Sequence, residues 1–124
     1  MLHLICGLEE APSGRLDLSD PKEFLQVSLL KLEAGKAARP HRHIWKDGEK
    51  SVVTQECWIV MKGRIECTYY DTDDAILAEE ILQAGDCSIT FLGGHRLAAL
   101  DEGAVFYEIK NGPYKGQAND HLAL

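Results

Sequence analysis

The sequence lacks any long apolar run and any basic leader. Charged residues interrupt it so often that no uncharged stretch approaches the roughly 20 apolar residues needed to span a bilayer. The N-terminus has no basic region, and its short apolar run ends at Glu9 and Glu10, which is unlike a signal peptide. We therefore expect neither membrane insertion nor secretion, and we expect a cytoplasmic protein.

Positive charge is scarce as well. Lys and Arg number 13 against 20 Asp and Glu, so the formal net charge is −7 at pH 7. The cations are scattered, whereas nucleic acids and anionic lipids bind to clustered basic surface. The composition therefore argues against nucleic acid and membrane partners. A small molecule is the expected partner, with one or two local cations to meet any negative charge it carries.

Cysteine is sparse and shows no recognisable spacing. The four cysteines are Cys6, Cys57, Cys67 and Cys87, and three of them lie in strand-like runs. None forms the C-x-x-C pattern of zinc or redox sites. We expect reduced thiols that pack as small apolar side chains.

The sequence does contain closely spaced clusters of turn-forming residues, which are typical of an all-β domain. Gly, Pro and Asp clusters recur at short intervals, and no segment combines helical periodicity with both helix caps. A chain of 124 residues fits one domain, which we place at residues 1–124 with its core at about 24–110. The first twenty and last ten residues are expected to be loosely organised. Strands are predicted over residues 24–32, 37–44, 56–70 (as a hairpin), 76–82, 87–92 and 104–110.

The clearest predicted element is the β-hairpin over residues 56–70. Gly63 supplies the positive φ that a tight two-residue turn requires. In this register Trp58 faces Cys67 and Glu56 faces Tyr69, on a side that is otherwise mostly apolar. A lone carboxylate on such a side needs a partner, so Glu56 is a candidate functional residue.

The last predicted strand, residues 104–110, also alternates. The odd-numbered residues from Val105 to Ile109 are apolar and are expected to face the core. Glu108 and Lys110 then lie on the opposite face. We expect them to form a solvated or interfacial ion pair.

Two histidines separated by one residue form the first candidate metal-binding pattern. On an extended strand His41 and His43 point to the same face, where two imidazoles can bind one ion. Gly35 precedes His41 by six positions, and Glu56 precedes Gly63 by seven. These spacings, G-x5-H-x-H and E-x6-G, resemble the first motif of the cupin superfamily.

The second motif of that superfamily is similar to Gly85-Asp86 followed by Gly94-His95. The resemblance covers residues 24–110 and implies a single-domain cupin, a jelly-roll β-sandwich barrel. In this family two motif histidines, the glutamate and the later histidine bind a divalent metal inside the barrel. Carried over to this sequence, the implied ligands are His41, His43, Glu56 and His95.

The chain departs from the family pattern between the second histidine and the glutamate. Twelve residues separate His43 from Glu56, where the family usually has three or four. Asp47 has the usual spacing from His43 and is therefore the alternative fourth ligand. Glu56 is preferred because it opens an alternating apolar strand, whereas Asp47 lies in a polar loop. The second motif also lacks its usual proline, and Ala99 replaces its usual asparagine.

The resemblance implies a metal-dependent function without naming a substrate. Three imidazoles and a carboxylate suit Zn, Ni, Fe, Mn or Cu. We expect an enzyme that isomerises, epimerises or oxygenates a small sugar-like, keto or enediol compound, with Glu56, Tyr69 or a nearby histidine moving a proton. The alternatives are a noncatalytic ligand-binding or sensor module and a pocket in which the histidines are only scaffolding.

The predicted strand that begins at Glu56 carries a second apolar stripe, on the face opposite to the interior, and this stripe indicates an oligomeric protein. Cys57, Ile59 and Met61 point away from the predicted interior and remain apolar. Such a stripe needs a cover. Cupins are commonly dimeric, so we expect a homodimer.

Overall fold

The computed structural model describes residues 4–45, 53–113 and 116–124. In these ranges no helix is long and apolar enough to cross a membrane. The helical segments there are two short 3-10 turns, Leu8–Glu10 and Gln117–Asn119. The strands are β1 (Gly14–Asp17), β2 (Leu25–Leu32), β3 (His41–His43), β4 (Glu56–Lys62), β5 (Arg64–Tyr70), β6 (Ile76–Gln83), β7 (Cys87–Thr90), β8 (Gly94–Ala99), β9 (Ala104–Asn111) and β10 (His121–Ala123).

The strands form two five-stranded antiparallel sheets. Sheet 1 has the order β1-β2-β9-β4-β7, and sheet 2 has the order β10-β3-β8-β5-β6. The predicted all-β sandwich is therefore confirmed. The strands predicted at residues 24–32, 76–82, 87–92 and 104–110 are found as β2, β6, β7 and β9, with ends that differ by no more than two residues.

The hydrophobic core lies between the two sheets. Alternate residues of each strand point inwards, so β4 contributes Trp58 and Val60 while β9 contributes Phe106. Sheet 2 supplies Ile65 and other apolar side chains to the same cluster. Phe106, Val60 and Ile65 are fully buried. This apolar cluster fills one end of the sandwich and leaves the other end to polar side chains.

The predicted hairpin over residues 56–70 is wrong. The two strands lie in different sheets, because β4 pairs with β7 and β9 whereas β5 pairs with β6 and β8. Gly63 does have a positive φ of 73°, and a Cβ there would lie 3.1 Å from the Cα of Ala104. The turn is thus a corner between sheets. Trp58 and Cys67 are both interior, but they belong to facing sheets.

The predicted orientation of the last strand is also wrong. Phe106 and Glu108 on β9 point into the sandwich, and the side chain of Lys110 is only 11% exposed. The polar pair is buried because Arg15 and Asp120 lie within ion-pair distance of it. Hydrophobicity alone misidentified the inward face, since this interior surface is partly charged.

Both chain ends are more regular than the sequence indicated. β1 pairs with β2 along the edge of sheet 1, and β10 pairs with β3 along the edge of sheet 2. His121 lies opposite His43 in this second pairing. The backbone N–H of Ile44 donates to the carbonyl of Asp120, which ties the chain before β10 to the end of β3. The expectation of loosely organised ends is therefore wrong for these segments.

Candidate metal centre

The four residues predicted as metal ligands come from three strands and meet inside the sandwich. His41 and His43 lie on β3, Glu56 lies on β4 of the opposite sheet, and His95 lies on β8. His41 and His95 are direct partners across β3 and β8. One ligand atom from each of the four residues lies within 4.8 Å of all the others. The structure therefore brings the predicted set together.

Two of the imidazole Nε2 atoms lie close to one carboxylate oxygen, and the third lies close to one of these two. Glu56 Oε2 lies 2.7 Å from Nε2 of His43 and 3.1 Å from Nε2 of His95. Nε2 of His95 lies 3.2 Å from Nε2 of His41. Three nitrogen atoms and one oxygen atom thus lie within 4.8 Å of one another, and this is a donor set that divalent transition metals bind.

The Nδ1 atom of each histidine forms a hydrogen bond with a residue outside the group of four. His41 Nδ1 lies 2.9 Å from the carbonyl oxygen of Arg39, His43 Nδ1 lies 3.0 Å from Asp120 Oδ2, and His95 Nδ1 lies 2.9 Å from the hydroxyl of Thr90. A carbonyl oxygen only accepts, so His41 Nδ1 donates and its Nε2 keeps a lone pair. Metal-binding histidines are oriented by such outer hydrogen bonds, so the donor set fits a divalent ion.

Trp58 fixes the carboxylate and one imidazole at once. Its Nε1 donates to Glu56 Oε1 at 3.1 Å, and its ring lies against His95 with 4.4 Å between ring centroids. Oε2 of Glu56 is therefore the oxygen that faces the histidines. The tryptophan is only 2% exposed, so this arrangement is shielded from water.

Burial and hydrogen bonding give His41, His43 and Glu56 different protonation states in the metal-free site. Burial lowers the pKa of His41 to about 4, although its bond to the Arg39 carbonyl opposes this shift. Burial also acts to lower the pKa of His43, but its bonds to Asp120 and Glu56 outweigh this and raise it to about 9. Burial raises the pKa of Glu56, yet its bonds to His43 and His95 hold it well below the usual value. His43 and Glu56 are thus an ion pair near neutral pH.

Asp120 is a component of the site that the sequence did not identify. It is 2% exposed, and besides His43 it accepts a hydrogen bond from the hydroxyl of Thr54. Burial raises its pKa, but the bonds from His43 and Thr54 bring it down to about 2. The Nζ of Lys110 lies 3.8 Å from Oδ2 of Asp120. No spacing or periodicity marked this aspartate, because it lies just before β10 and belongs to no motif.

Removing the Asp120 carboxylate is expected to weaken metal binding without removing any ligand. In Asp120→Ala the His43 ring loses its outer acceptor, and such changes typically lower metal affinity by about 10- to 100-fold. Asp120→Asn, which keeps an acceptor oxygen, should retain more of the affinity. Competition with a chromophoric chelator measures both. Asp101→Ala is the control, since Asp101 pairs with Arg64 and is 38% exposed. Equal affinity in Asp120→Ala and the parent would contradict the orienting role.

A cavity of about 750 Å³ is lined by three of the four residues, His41, His43 and Glu56. Small-molecule pockets usually span roughly 300–1,000 Å³. One wall carries His41, His43, Glu56 and Trp58, and another carries polar residues. The polar residues include Arg15, Ser28 and Glu108, and the apolar ones include Leu30, Leu97 and Phe106. The cavity is therefore large enough for a metabolite and presents it with both polar and apolar surface.

Glu108 is the second buried carboxyl group in this cavity, and it was not predicted there. Its Oε1 accepts a hydrogen bond from Arg15 Nη2 at 2.8 Å, and the Nζ of Lys110 lies 4.0 Å away. Burial and the negative charge of Glu56 raise the pKa of Glu108 to about 7, against the opposing effect of Arg15. The inward face of β9 thus adds a carboxyl group beside the candidate metal ligands.

Tyr69 does not face Glu56, so the predicted pairing of these two residues is wrong. Tyr69 lies on β5 beside His95 in register, and its hydroxyl donates to Ser88 Oγ at 2.7 Å. The cause is the corner at Gly63, which places β5 in the sheet opposite β4. A catalytic role for Tyr69 stays a prediction. Asp47, the alternative fourth ligand, lies outside the described residues.

Comparison with known proteins identifies the fold. No protein-family model and no curated protein sequence matches the chain. Among solved structures, KdgF from a Halomonas species is 18% identical, with 78% of this chain and 77% of that chain covered and a TM-score of 0.60. A variant oxalate decarboxylase from Bacillus subtilis is 19% identical, with 91% and 29% covered and a TM-score of 0.68. Both are cupins. The chain has the cupin fold.

The cupin fold does not by itself decide a function. The chain spans less than a third of the oxalate decarboxylase chain. Peruvianin-I, described as a cysteine peptidase from Thevetia peruviana latex, is 18% identical and matches with a TM-score of 0.69, covering 98% of this chain and 76% of that one. Proteins of such different names share this cupin architecture, so function has to be argued from the site.

Proposed function

We propose that this cupin-fold chain binds one divalent metal ion through His41, His43, Glu56 and His95 and acts on a small oxygenated metabolite. The reaction classes are isomerisation, epimerisation or oxygenation of a sugar-like, keto or enediol compound. The observation that carries the proposal is the convergence of four donor atoms, three of them from residues that line a cavity of about 750 Å³. A purely structural metal site needs no such cavity.

The donor chemistry defines the class of metal but not its identity. Three imidazoles and one carboxylate suit Zn, Ni, Fe and Mn alike. When bound here, a divalent ion supplies Lewis-acid polarisation of a ligand oxygen or a bound water of lowered pKa. The proposal therefore names a class of divalent metals and no single element.

The residues around the four ligands would hold and orient the metabolite. Leu30 and Phe106 give the cavity an apolar wall that excludes water, while Arg15 and Glu108 present hydrogen-bonding groups. Glu56, whose Oε2 lies 2.7 Å from His43 Nε2, is our candidate for moving a proton.

The test combines metal loading with a search for turnover. Protein purified without a His-tag or chelator is loaded with each candidate metal and incubated with aldoses, ketoses and 2-oxo acids. NMR then follows consumption, and an oxygen electrode follows oxygen uptake. We expect conversion by the parent and none by His41→Ala. Saturable binding without conversion would support the noncatalytic alternative, and neither binding nor conversion would refute both.

We also propose that the chain forms a homodimer through the outer face of sheet 1. Cys57 and Ile59 on β4 are half-buried there, Met61 is 41% exposed, and Ile89 on β7 is 51% exposed. An exposed apolar face of this kind is stabilised by covering it. Analytical ultracentrifugation should give twice the 13.8 kDa chain mass. Ile89→Asp should yield monomers, while Ile81→Asp on the outer face of sheet 2 should not. A monomeric parent would contradict the proposal.

A further inference from the structure

An arginine reaches into the cavity from the edge strand β1. Nε of Arg15 donates to Asp17 Oδ1 at 2.7 Å, and Nη2 donates to the Ser28 hydroxyl at 2.7 Å and to Glu108 Oε1 at 2.8 Å. Ser28 lies on β2 and Glu108 lies on β9. The Arg15 side chain therefore extends from β1 across β2 to reach β9. Arg15 is thereby held over the cavity by fixed partners.

Two of the five N–H donors of the Arg15 guanidinium are not used by its three hydrogen bonds. An arginine carries five N–H donors: one on Nε and two on each terminal nitrogen. The three hydrogen bonds of Arg15 use the Nε hydrogen and both hydrogens of Nη2. Within residues 4–45, 53–113 and 116–124, no acceptor is found for Nη1. The side chain is 41% exposed and lines the cavity, so Nη1 is accessible to a ligand.

The charged residues of the cavity lining balance, whereas the whole chain is negative. Cations and carboxylates are equally numerous among its described lining residues, although the whole chain carries −7. These residues are Arg15, Lys36, Lys110, Asp17, Glu56 and Glu108. A divalent ion at the four ligands would add two positive charges. A charge of this sign attracts a small anion, against the repulsion of the rest of the surface.

Arg15 is joined to the candidate metal ligands through Glu108 and contacts none of them directly. Glu56 pairs with Lys110 and Trp58 pairs with Glu108 across β4 and β9, so the two glutamates occupy diagonal positions that long side chains can bridge. Their carboxyl groups interact with each other, and Arg15 is bonded to Glu108. A ligand that reaches both Arg15 and the candidate metal ligands must therefore carry its acid group on the far side of Glu108, away from the oxygen near those ligands. Glu108 would be satisfied by a hydroxyl or enol donor on the same ligand.

We propose that the cavity binds an organic acid whose carboxylate pairs with Nη1 of Arg15 while its opposite end approaches His41, His43, Glu56 and His95. This inference rests on the proposed function, since it places the ligand in the same cavity. It makes Arg15 the residue that selects for a distal carboxylate. Guanidinium groups suit this task because they pair with carboxylates through directed hydrogen bonds.

The test uses probe acids that differ only in the distal carboxylate. The pairs are 2-oxoglutarate with 2-oxopentanoate and glucarate with gluconate. Isothermal titration calorimetry on nickel-loaded protein measures each affinity, and thermal shift provides an independent readout. In the parent at least one dicarboxylate should bind about 10- to 100-fold more tightly than its partner, the range for a hydrogen bond between charged groups. Arg15→Gln should reduce that ratio to near one, and Arg15→Lys should retain part of it.

Two controls separate this inference from the metal site and from folding. Arg15 touches none of the four ligands, so Arg15→Gln should keep its metal. Arg64→Gln removes a second ion-paired arginine, which bonds Asp101 on the exterior, and should leave the ratio unchanged. Equal binding within both pairs in the parent, no binding of any probe, or an unchanged ratio in Arg15→Gln would overturn the subsite. Loss of metal from the parent would instead refute the proposed function.

Discussion

Replacing His41 with alanine is expected to abolish stoichiometric metal binding. The imidazole contributes one of four donors, and its Nε2 lies 3.2 Å from that of His95. Its Nδ1 bonds only a backbone carbonyl, so the change removes a ligand while sparing the buried network around Asp120. Elemental mass spectrometry on protein purified without a His-tag or chelator measures the metal content. We expect close to one ion per chain in the parent and a loss of at least about tenfold in the variant.

A neighbouring histidine and the glutamate provide the controls. His121 lines the cavity with its ring centroid 4.2 Å from that of His41, but it is not among the four ligands, so His121→Ala should keep the metal. Glu56→Ala should lose it. If Glu56→Ala kept the metal while His41→Ala lost it, Asp47 would replace Glu56 as the fourth metal ligand. A parent that takes up no divalent ion would refute the metal site altogether.

Metal affinity is expected to rise steeply with pH through the neutral range. In the metal-free protein the pKa of His43 is raised to about 9, so its ring is protonated at pH 7. A metal binds only the neutral ring, so binding must release this proton. The pKa of His41 is about 4, so it contributes nothing in this range. Affinity should therefore increase about tenfold per pH unit, or roughly 100-fold between about pH 6.5 and 8.5.

Proton release can be counted directly. Calorimetric titration of zinc into the metal-free protein near pH 7, in buffers of different ionisation enthalpy, gives the number of protons set free. We expect about one per ion from His43. In Asp120→Ala the ring loses one of the bonds that raise its pKa, so the number should fall. A parent that binds zinc with no proton release and a flat pH profile would show that His43 is neutral in the metal-free protein.

The four candidate metal ligands were predictable because their signals are local. His41 and His43 point the same way on any extended strand, and Glu56 was conspicuous as the charged residue of an apolar alternating run. The strand partners were not predictable from the same run. A hairpin and a corner both keep the alternation on either side of Gly63, so period-two patterning cannot distinguish them.

Residues recruited over long distances in the chain carried no such signal. Arg15 meets Glu108 across 93 positions, and Asp120 meets His43 across 77. Each is a charged residue that a local pattern assigns to the solvent. Their burial depends on partners that only the assembled sheets supply.

The edge position of β10 has a consequence for how the proposed metal ion would be held. A three-residue edge strand frays more readily than the centre of a sheet, and Asp120, which precedes β10, orients His43. Each fraying event frees the His43 ring to turn away. Metal binding and closure of the chain end are then linked equilibria, so an added ion should slow hydrogen–deuterium exchange of the amides at residues 121–123. Unchanged exchange would mean that the ion holds His43 without help from the strand.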